Sequence, residues 1–222
     1  ITPIHVNHSI PETSGLLIKH TEYDASFLYI SDFKVEPDCQ HEEYIELQKI
    51  KELQTNKLNF AFIDSTNIYV DKKGCSEKDV ADELENLIKK AKGRVLITLF
   101  SSNVHRIKSI YEICLKLKKP LCTSGRSVEQ YIKAATEVGI ITESKKIHDE
   151  SEIEASSDNS VVLISGCQGD FFGSLRRYAS KEHSKLKPRP SDTVIFSSKA
   201  IPGNEKSVYR IMNQLTDLGV EI

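Results

Sequence analysis

From Val95 onward the sequence alternates apolar runs of strand length with amphipathic stretches of helix length, and this rhythm restricts the fold more than any other feature. The apolar runs are Val95–Leu99, Leu121–Thr123, Val161–Ile164 and Thr193–Phe196. The intervening stretches read as helices at about 77–91, 103–118, 127–138, 171–181 and 204–218. Continuous apolarity within a run implies a strand covered on both faces, as in a parallel sheet flanked by helices. The first third is less regular. Leu16–Ile18, Phe27–Ile30 and Phe60–Ile63 read as short strands, and Glu42–Leu53 as a helix with Tyr44, Ile45, Leu47, Ile50 and Leu53 on one stripe. Residues 142–160, rich in Ser, Glu and Asp, read as a surface connection. The expected class is α/β.

The residues after each strand carry the chemistry. Asp64-Ser-Thr-Asn67, Ser101-Ser-Asn103, Ser124-Gly-Arg-Ser127, Ser165-Gly-Cys-Gln-Gly169 and Ser197-Ser198 with Pro202-Gly-Asn204 all follow strands and precede helix starts. Five of the ten glycines (125, 166, 169, 173 and 203) lie in or beside these turns. Strand ends of a parallel sheet line one edge, where ligands bind. Helix N-termini there offer backbone N–H groups and the positive end of the dipole to an anion. Any one such turn is ordinary N-cap chemistry. Five in succession point to a phosphate site, with Arg106, Lys108, Arg126 and Arg210 placed close behind them.

Other features are weaker. Arg176, Arg177, Lys181, Lys185, Lys187 and Arg189 form a basic stretch suited to a nucleic-acid backbone or simply to a solvated face. His5 and His8 resemble a ligand pair, but without helical spacing they need not face one point. Asp32 and Asp64 end strands, and a strand-end carboxylate with a histidine is metal-ligand material. Cys167 lacks a sequence-adjacent histidine to activate it, which argues against a thiol nucleophile. Five scattered cysteines argue against a disulfide framework and for a reducing cytoplasm. Thirty Lys and Arg against 32 Asp and Glu exclude a generally basic nucleic-acid binder, though not a local basic site. No run of about 18 apolar residues exists to span a membrane. Without any family likeness, a Rossmann-like domain binding a nucleotide or phosphosugar would account for the polar strand ends.

Taken together these segments resemble the ribonuclease J family. The resemblance rests on His8-Ser-Ile-Pro with Gly15, Ser31-Asp-Phe-Lys34, Asp64-Ser-Thr-Asn67, Leu99-Phe-Ser-Ser-Asn-Val-His-Arg-Ile107, Ser124-Gly-Arg-Ser127, Ser165-Gly-Cys-Gln-Gly169 and Ser197-Ser198 with Ile201-Pro-Gly-Asn-Glu-Lys-Ser-Val-Tyr-Arg210. It runs along essentially the whole chain. It implies part of a metallo-β-lactamase domain over residues 1–66 and most of a β-CASP domain over 67–222. It also implies a parent enzyme that hydrolyses RNA phosphodiester bonds, endonucleolytically and from the 5′ end. In such a parent a pair of divalent ions, zinc or manganese, activates water on the scissile phosphate.

Residue by residue, the resemblance makes His8 a metal ligand, Asp32 the aspartate bridging both metals, and Asp64 a catalytic acid that orients ligands or water. It makes Ser102, Asn103, His105, Arg106, Gly166, Gln168, Gly169, Ser198, Gly203 and Asn204 contacts for RNA phosphate. It further implies a cytoplasmic homodimer or homotetramer with RNA as partner and no membrane. The family's His-x-His-x-Asp-His motif is absent from these residues and is expected before Ile1; its His-x-Ser-Gly-His motif is expected after Ile222. The expectation is therefore an internal fragment, inactive alone, of an active enzyme or of an inactive RNA-binding paralogue. Two departures stand out: Ser31 replaces the usual glycine before the bridging aspartate, and Phe171-Phe172 follow Asp170 where smaller or more polar residues are usual.

Overall fold

The computed structural model describes residues 1–36, 41, 45–53, 58–66, 68–71, 74–142, 146–149, 152 and 158–222. Cys39, Tyr44, Asn67 and most of the 142–160 connection lie outside the described residues. The chain divides into two compact units, Ile1–Val80 and Ala81–Ile222.

The first unit is built on a four-stranded sheet: β1 (Thr2–His5), β2 (Ser14–His20), β3 (Ala25–Ile30) and β4 (Phe60–Ile63), in that spatial order. β1–β2 and β2–β3 are antiparallel, and β3–β4 is parallel. Burial alternates along β2 and β3, so Leu17, Leu28 and Ile30 point to one core with Ile4, Val6, Ile45 and Leu53. That period-two pattern is the signature of a sheet with one covered face. β4 differs: all four of its residues are exposed. The helix α1 (Leu47–Leu53) starts later than the 42–53 pattern suggests. The backbone N–H of Ile45 donates to Asn7 Oδ1 at 2.7 Å and that of Glu46 to the His5 carbonyl at 3.2 Å. These two residues are tied to the end of β1 instead of continuing a helix.

The second unit carries the alternation expected from Val95 onward. α2 (Glu77–Lys90) leads into β5 (Val95–Thr98), α3 (Val104–Leu117), β6 (Leu121–Ser124), α4 (Arg126–Glu137) and β7 (Ile147–His148). β8 (Val161–Ile164), α5 (Ser174–Ala179), β9 (Thr193–Phe196) and α6 (Glu205–Asp217) follow. The sheet order is β7-β6-β8-β5-β9, and every pair is parallel. β5, β6 and β8 are buried at every residue, because helices cover both faces. On one face Leu96, Val162, Ile164 and Val194 meet Leu175 and Tyr178 of α5 and Ile211 and Leu215 of α6.

α5 is shorter than the 171–181 stretch predicted. A turn closed by Gly173 N–H on the Asp170 carbonyl (2.9 Å) holds Phe171 and Phe172 out of the helix. At the other end Lys181 adopts a left-handed φ of 62°, which no helix continues through.

The end of the sheet opposite the polar turns is locked by a buried charge cluster. Asp192 receives Arg94 Nε at 2.9 Å and Nη2 at 2.6 Å, Tyr178 Oη at 2.7 Å and the Arg189 backbone N–H at 2.9 Å. Both Arg94 and Asp192 are buried, and the carboxylate has a donor in each available direction. Such a pair is retained only when every lone pair is satisfied.

Candidate functional site

Of the five polar strand ends, four share one edge. β5, β6, β8 and β9 run parallel in one sheet, so the turns 99–103, 124–127, 165–173 and 197–204 emerge together at its carboxyl end. The fifth does not join them. Asp64 follows β4, which pairs with β3 in the sheet of the first unit. The pattern along the chain puts five ends on one edge, but strand periodicity does not report which sheet a strand enters.

At the β5–β8–β9 end the turns are fastened to one another. Gln168 donates from Nε2 to the Lys199 carbonyl (2.9 Å), and its Oε1 accepts the Ile201 backbone N–H (2.7 Å). Asn204 Nδ2 lies 3.5 Å from the same oxygen. Gln168 is thus a brace between the β8 and β9 turns. Arg106 Nη1 donates to the Ser197 carbonyl at 2.8 Å and lies 3.3 Å from its hydroxyl, joining α3 to the β9 turn. Asn103 caps α3 by accepting the Arg106 backbone N–H at 3.1 Å. Ser102 sits partly exposed in the same turn, while His105 is buried within α3. Gly166, Gly169 and Gly203 all hold left-handed φ values in these turns, of 106°, 76° and 99°. Ser198 lies beside Cys167, whose thiol is pushed up by burial against the opposing influence of Ser198 and Gln168. A buried thiol held in its neutral form is no nucleophile.

Between β6 and β8 the edge opens. β6 leads through α4 to β7 on its outer side, whereas β8 leads through α5 to β9 on the other. Connections that leave neighbouring strands in opposite directions open a crevice, the usual ligand position in α/β sheets. A cavity of about 850 Å³ occupies this place, lined by Gly125, Arg126, Ser127, Ser165, Gly166 and Ser174 among others, with Arg177, Glu129, Asp170 and Phe172 at its sides. The floor must be glycine. Gly125 has φ 117°, and a Cβ there would stand 2.0 Å from Ser165 Oγ.

Residue-by-residue reading missed His183, buried beneath this floor. Its Nδ1 accepts backbone N–H groups from Lys185 (3.2 Å) and Leu186 (2.9 Å), so the ring proton resides on Nε2, 2.9 Å from Ser124 Oγ. Burial, with Arg177 and Lys187 nearby, holds its pKa down to about 4. No local signal marks this residue, because its partner is on β6. The basic stretch around it is largely occupied. Arg177 donates to Ser174 Oγ, Lys187 to the His183 carbonyl and Arg189 to Asp158.

The metal-ligand candidates belong to the first unit. Asn7, buried, takes the Ile45 N–H on its side chain and the Lys34 N–H on its carbonyl, fixing the segment that carries His8. His8 Nε2 stands 3.9 Å from Asp32 Oδ2, and both are accessible. His5 Nε2 lies 3.5 Å from Asn7 Nδ2, and its backbone N–H donates to Glu46. Asp64 accepts the Thr66 hydroxyl (2.6 Å) and backbone N–H (3.2 Å). The Thr66 hydroxyl above all, with smaller help from its backbone, Ser65 and His8, lowers the Asp64 pKa. The His8 imidazole nitrogen and the Asp32 carboxylate are the donor types that a divalent ion such as zinc or manganese takes. They form a partial set, as no group of three or more metal-capable side chains converges among the described residues.

The chain is similar in sequence to known proteins. Residues 92–215, within the second unit, match the model of the ribonuclease J β-CASP domain. Ribonuclease J of Thermus thermophilus is 32% identical over 218 residues, covering 98% of this chain and 38% of that protein. Ribonuclease J of Helicobacter pylori J99 is 32% identical over 214 residues (96% and 31%), and that of Sinorhizobium meliloti 31% over 223 residues (100% and 39%). The chain thus spans between about a third and two-fifths of the length of these relatives. With a β-CASP match over most of the unit that holds the four polar turns, and relatives aligned along nearly the whole of this chain, the chain belongs to the ribonuclease J family.

Proposed function

We propose that the chain is part of a metal-dependent ribonuclease that hydrolyses RNA phosphodiester bonds, both internally and from the 5′ end. The observation that carries this reading is the convergence of four small-residue turns on one edge of a parallel sheet. Arg106 and Gln168 hold three of those turns, after β5, β8 and β9, in a fixed relation. Backbone N–H groups and an oriented guanidinium suit an RNA phosphate, because they need no rearrangement when the anion arrives. In this reading Ser102, Asn103, Arg106, Gly166, Gly169, Ser198, Gly203 and Asn204 face the backbone of the RNA. Gln168 acts through the turns it braces, and His105 acts from beneath α3.

His8 and Asp32 would hold part of a divalent metal pair, zinc or manganese, with Asp64 kept ionised by Thr66 to orient the ligands or the water. When bound, such ions supply Lewis acidity toward the scissile phosphate. The described residues offer too few donors to retain the pair alone, so the chain by itself is inactive. On family likeness the parent works in the cytoplasm as a homodimer or homotetramer.

The test uses the parent protein with 5′-monophosphorylated RNA and Zn²⁺ or Mn²⁺. Asp32→Ala should lower cleavage about a thousandfold or more while RNA binding persists, since a bridging ligand supports several kcal/mol of transition-state stabilisation. Normal turnover in that variant contradicts the metal assignment. Robust metal-dependent degradation by the 222-residue chain alone contradicts its reading as an inactive part.

A further inference from the structure

The crevice between β6 and β8 differs in chemistry from the β5 and β9 turns beside it. Arg126 and Arg177 line it, but so do Glu129 and Asp170, so its charges balance. A groove built for the sugar–phosphate chain carries a cationic excess. A balanced, polar crevice with room for a planar group suits a neutral ligand bearing both donors and acceptors.

At its side stands Phe172, 82% exposed. Its neighbour Phe171 is 67% exposed and meets it edge to face, with ring centroids 5.0 Å apart at 87°. Arg176 lies over the Phe171 ring at 4.2 Å and donates to the Phe171 carbonyl at 2.8 Å. The turn is therefore supported from one side through Phe171, and Phe172 is presented outward. Two adjacent phenyl rings kept in solvent are costly for the fold, and the ring contact given for Phe172 among the described residues is with the exposed Phe171.

We propose that Phe172 is the stacking face of a nucleobase pocket, and that one base of a single-stranded RNA inserts into the β6–β8 crevice against it. The proposal rests on the RNA reading above and adds where a base, as distinct from the phosphate chain, is held. Phe171 and Arg176 are positioning residues for Phe172. Bases unstacked from single strands are recognised in this way, on aromatic side chains with polar groups at their edges. The crevice places the base next to the turns proposed for phosphate, so one strand can engage both.

The experiment measures binding of the 222-residue chain, in EDTA and low salt, to a labelled single-stranded RNA of about ten nucleotides, with an abasic ribose placed at each position in turn. Wild type should lose about tenfold to a hundredfold in affinity at one abasic position, the range expected for one stacked base. Phe172→Leu, which keeps apolar bulk without a π face, should show that loss with intact RNA and no further loss at the sensitive position. Phe172→Trp should restore binding. Wild-type affinity in Phe172→Leu, or an abasic penalty identical in Phe172→Leu and wild type, overturns the pocket and leaves the RNA reading standing. Failure of the wild-type chain to bind any single-stranded RNA overturns both.

Discussion

The two units solve the same problem, presenting polar groups at strand ends, in different ways. In the second unit, β5, β6 and β8 are sealed on both faces, and the loops that leave them are cross-linked by side chains from distant positions. In the first unit the sheet alternates buried and exposed residues and ends in β4, which is exposed throughout. Its functional candidates, His8 and Asp32, approach each other at 3.9 Å but remain open to solvent. The contrast shows what double-sided burial confers. A strand held from both faces cannot shift, so its end can carry a turn of prescribed geometry. A strand covered on one face leaves the groups at its end more open to solvent.

That comparison can be broken most forcefully at the locked end of the second sheet. Asp192→Ala removes the carboxylate that satisfies Arg94, Tyr178 and the Arg189 backbone, and leaves a buried guanidinium uncompensated. The expected loss is about 3–5 kcal/mol in urea unfolding. A loss below about 1 kcal/mol would mean that the cluster does not hold the sheet.

A smaller effect follows from His183. Its folded-state pKa of about 4 lies below its ordinary value of 6.5, so between these values the unfolded chain binds the extra proton. Stability is therefore intact above pH 6.5 and declines as the pH falls toward 4. The total is on the order of 3 kcal/mol for this buried ring. His183→Gln should lower stability at neutral pH and flatten that part of the pH profile. A slope unchanged in the variant would assign the acid sensitivity to other groups.

The smallest effect concerns the turns themselves. Arg106→Ala in the full-length parent should weaken RNA binding about equally for all sequences and reduce the slope of log affinity against log salt by about one unit. An unchanged slope would make the Arg106–Ser197 contact purely structural.

Much of the second unit was legible in the sequence because its strands are buried on both faces. Val161–Ile164 and Thr193–Phe196 form strands with the bounds their apolar runs suggest. Helices α3, α4 and α6 begin and end within a residue of their amphipathic patterns. β1 and β7 were missed because short edge strands with few inward residues leave too little periodicity to detect. The roles of Gln168 and His183 were also invisible. Gln168 contacts Ile201 and His183 contacts Ser124, pairings that only the folded sheet creates. The proposed metal roles of His8 and Asp32 come from family likeness alone; their side chains lie 3.9 Å apart.

The most direct test of the account is a hydrogen-exchange footprint of the chain with and without single-stranded RNA. The account predicts slowed exchange in the turns 99–106, 124–127, 165–174 and 197–204, with the Arg94 and Asp192 end of the sheet unchanged. Protection confined to that opposite end, or none in the four turns while RNA is bound, would contradict it.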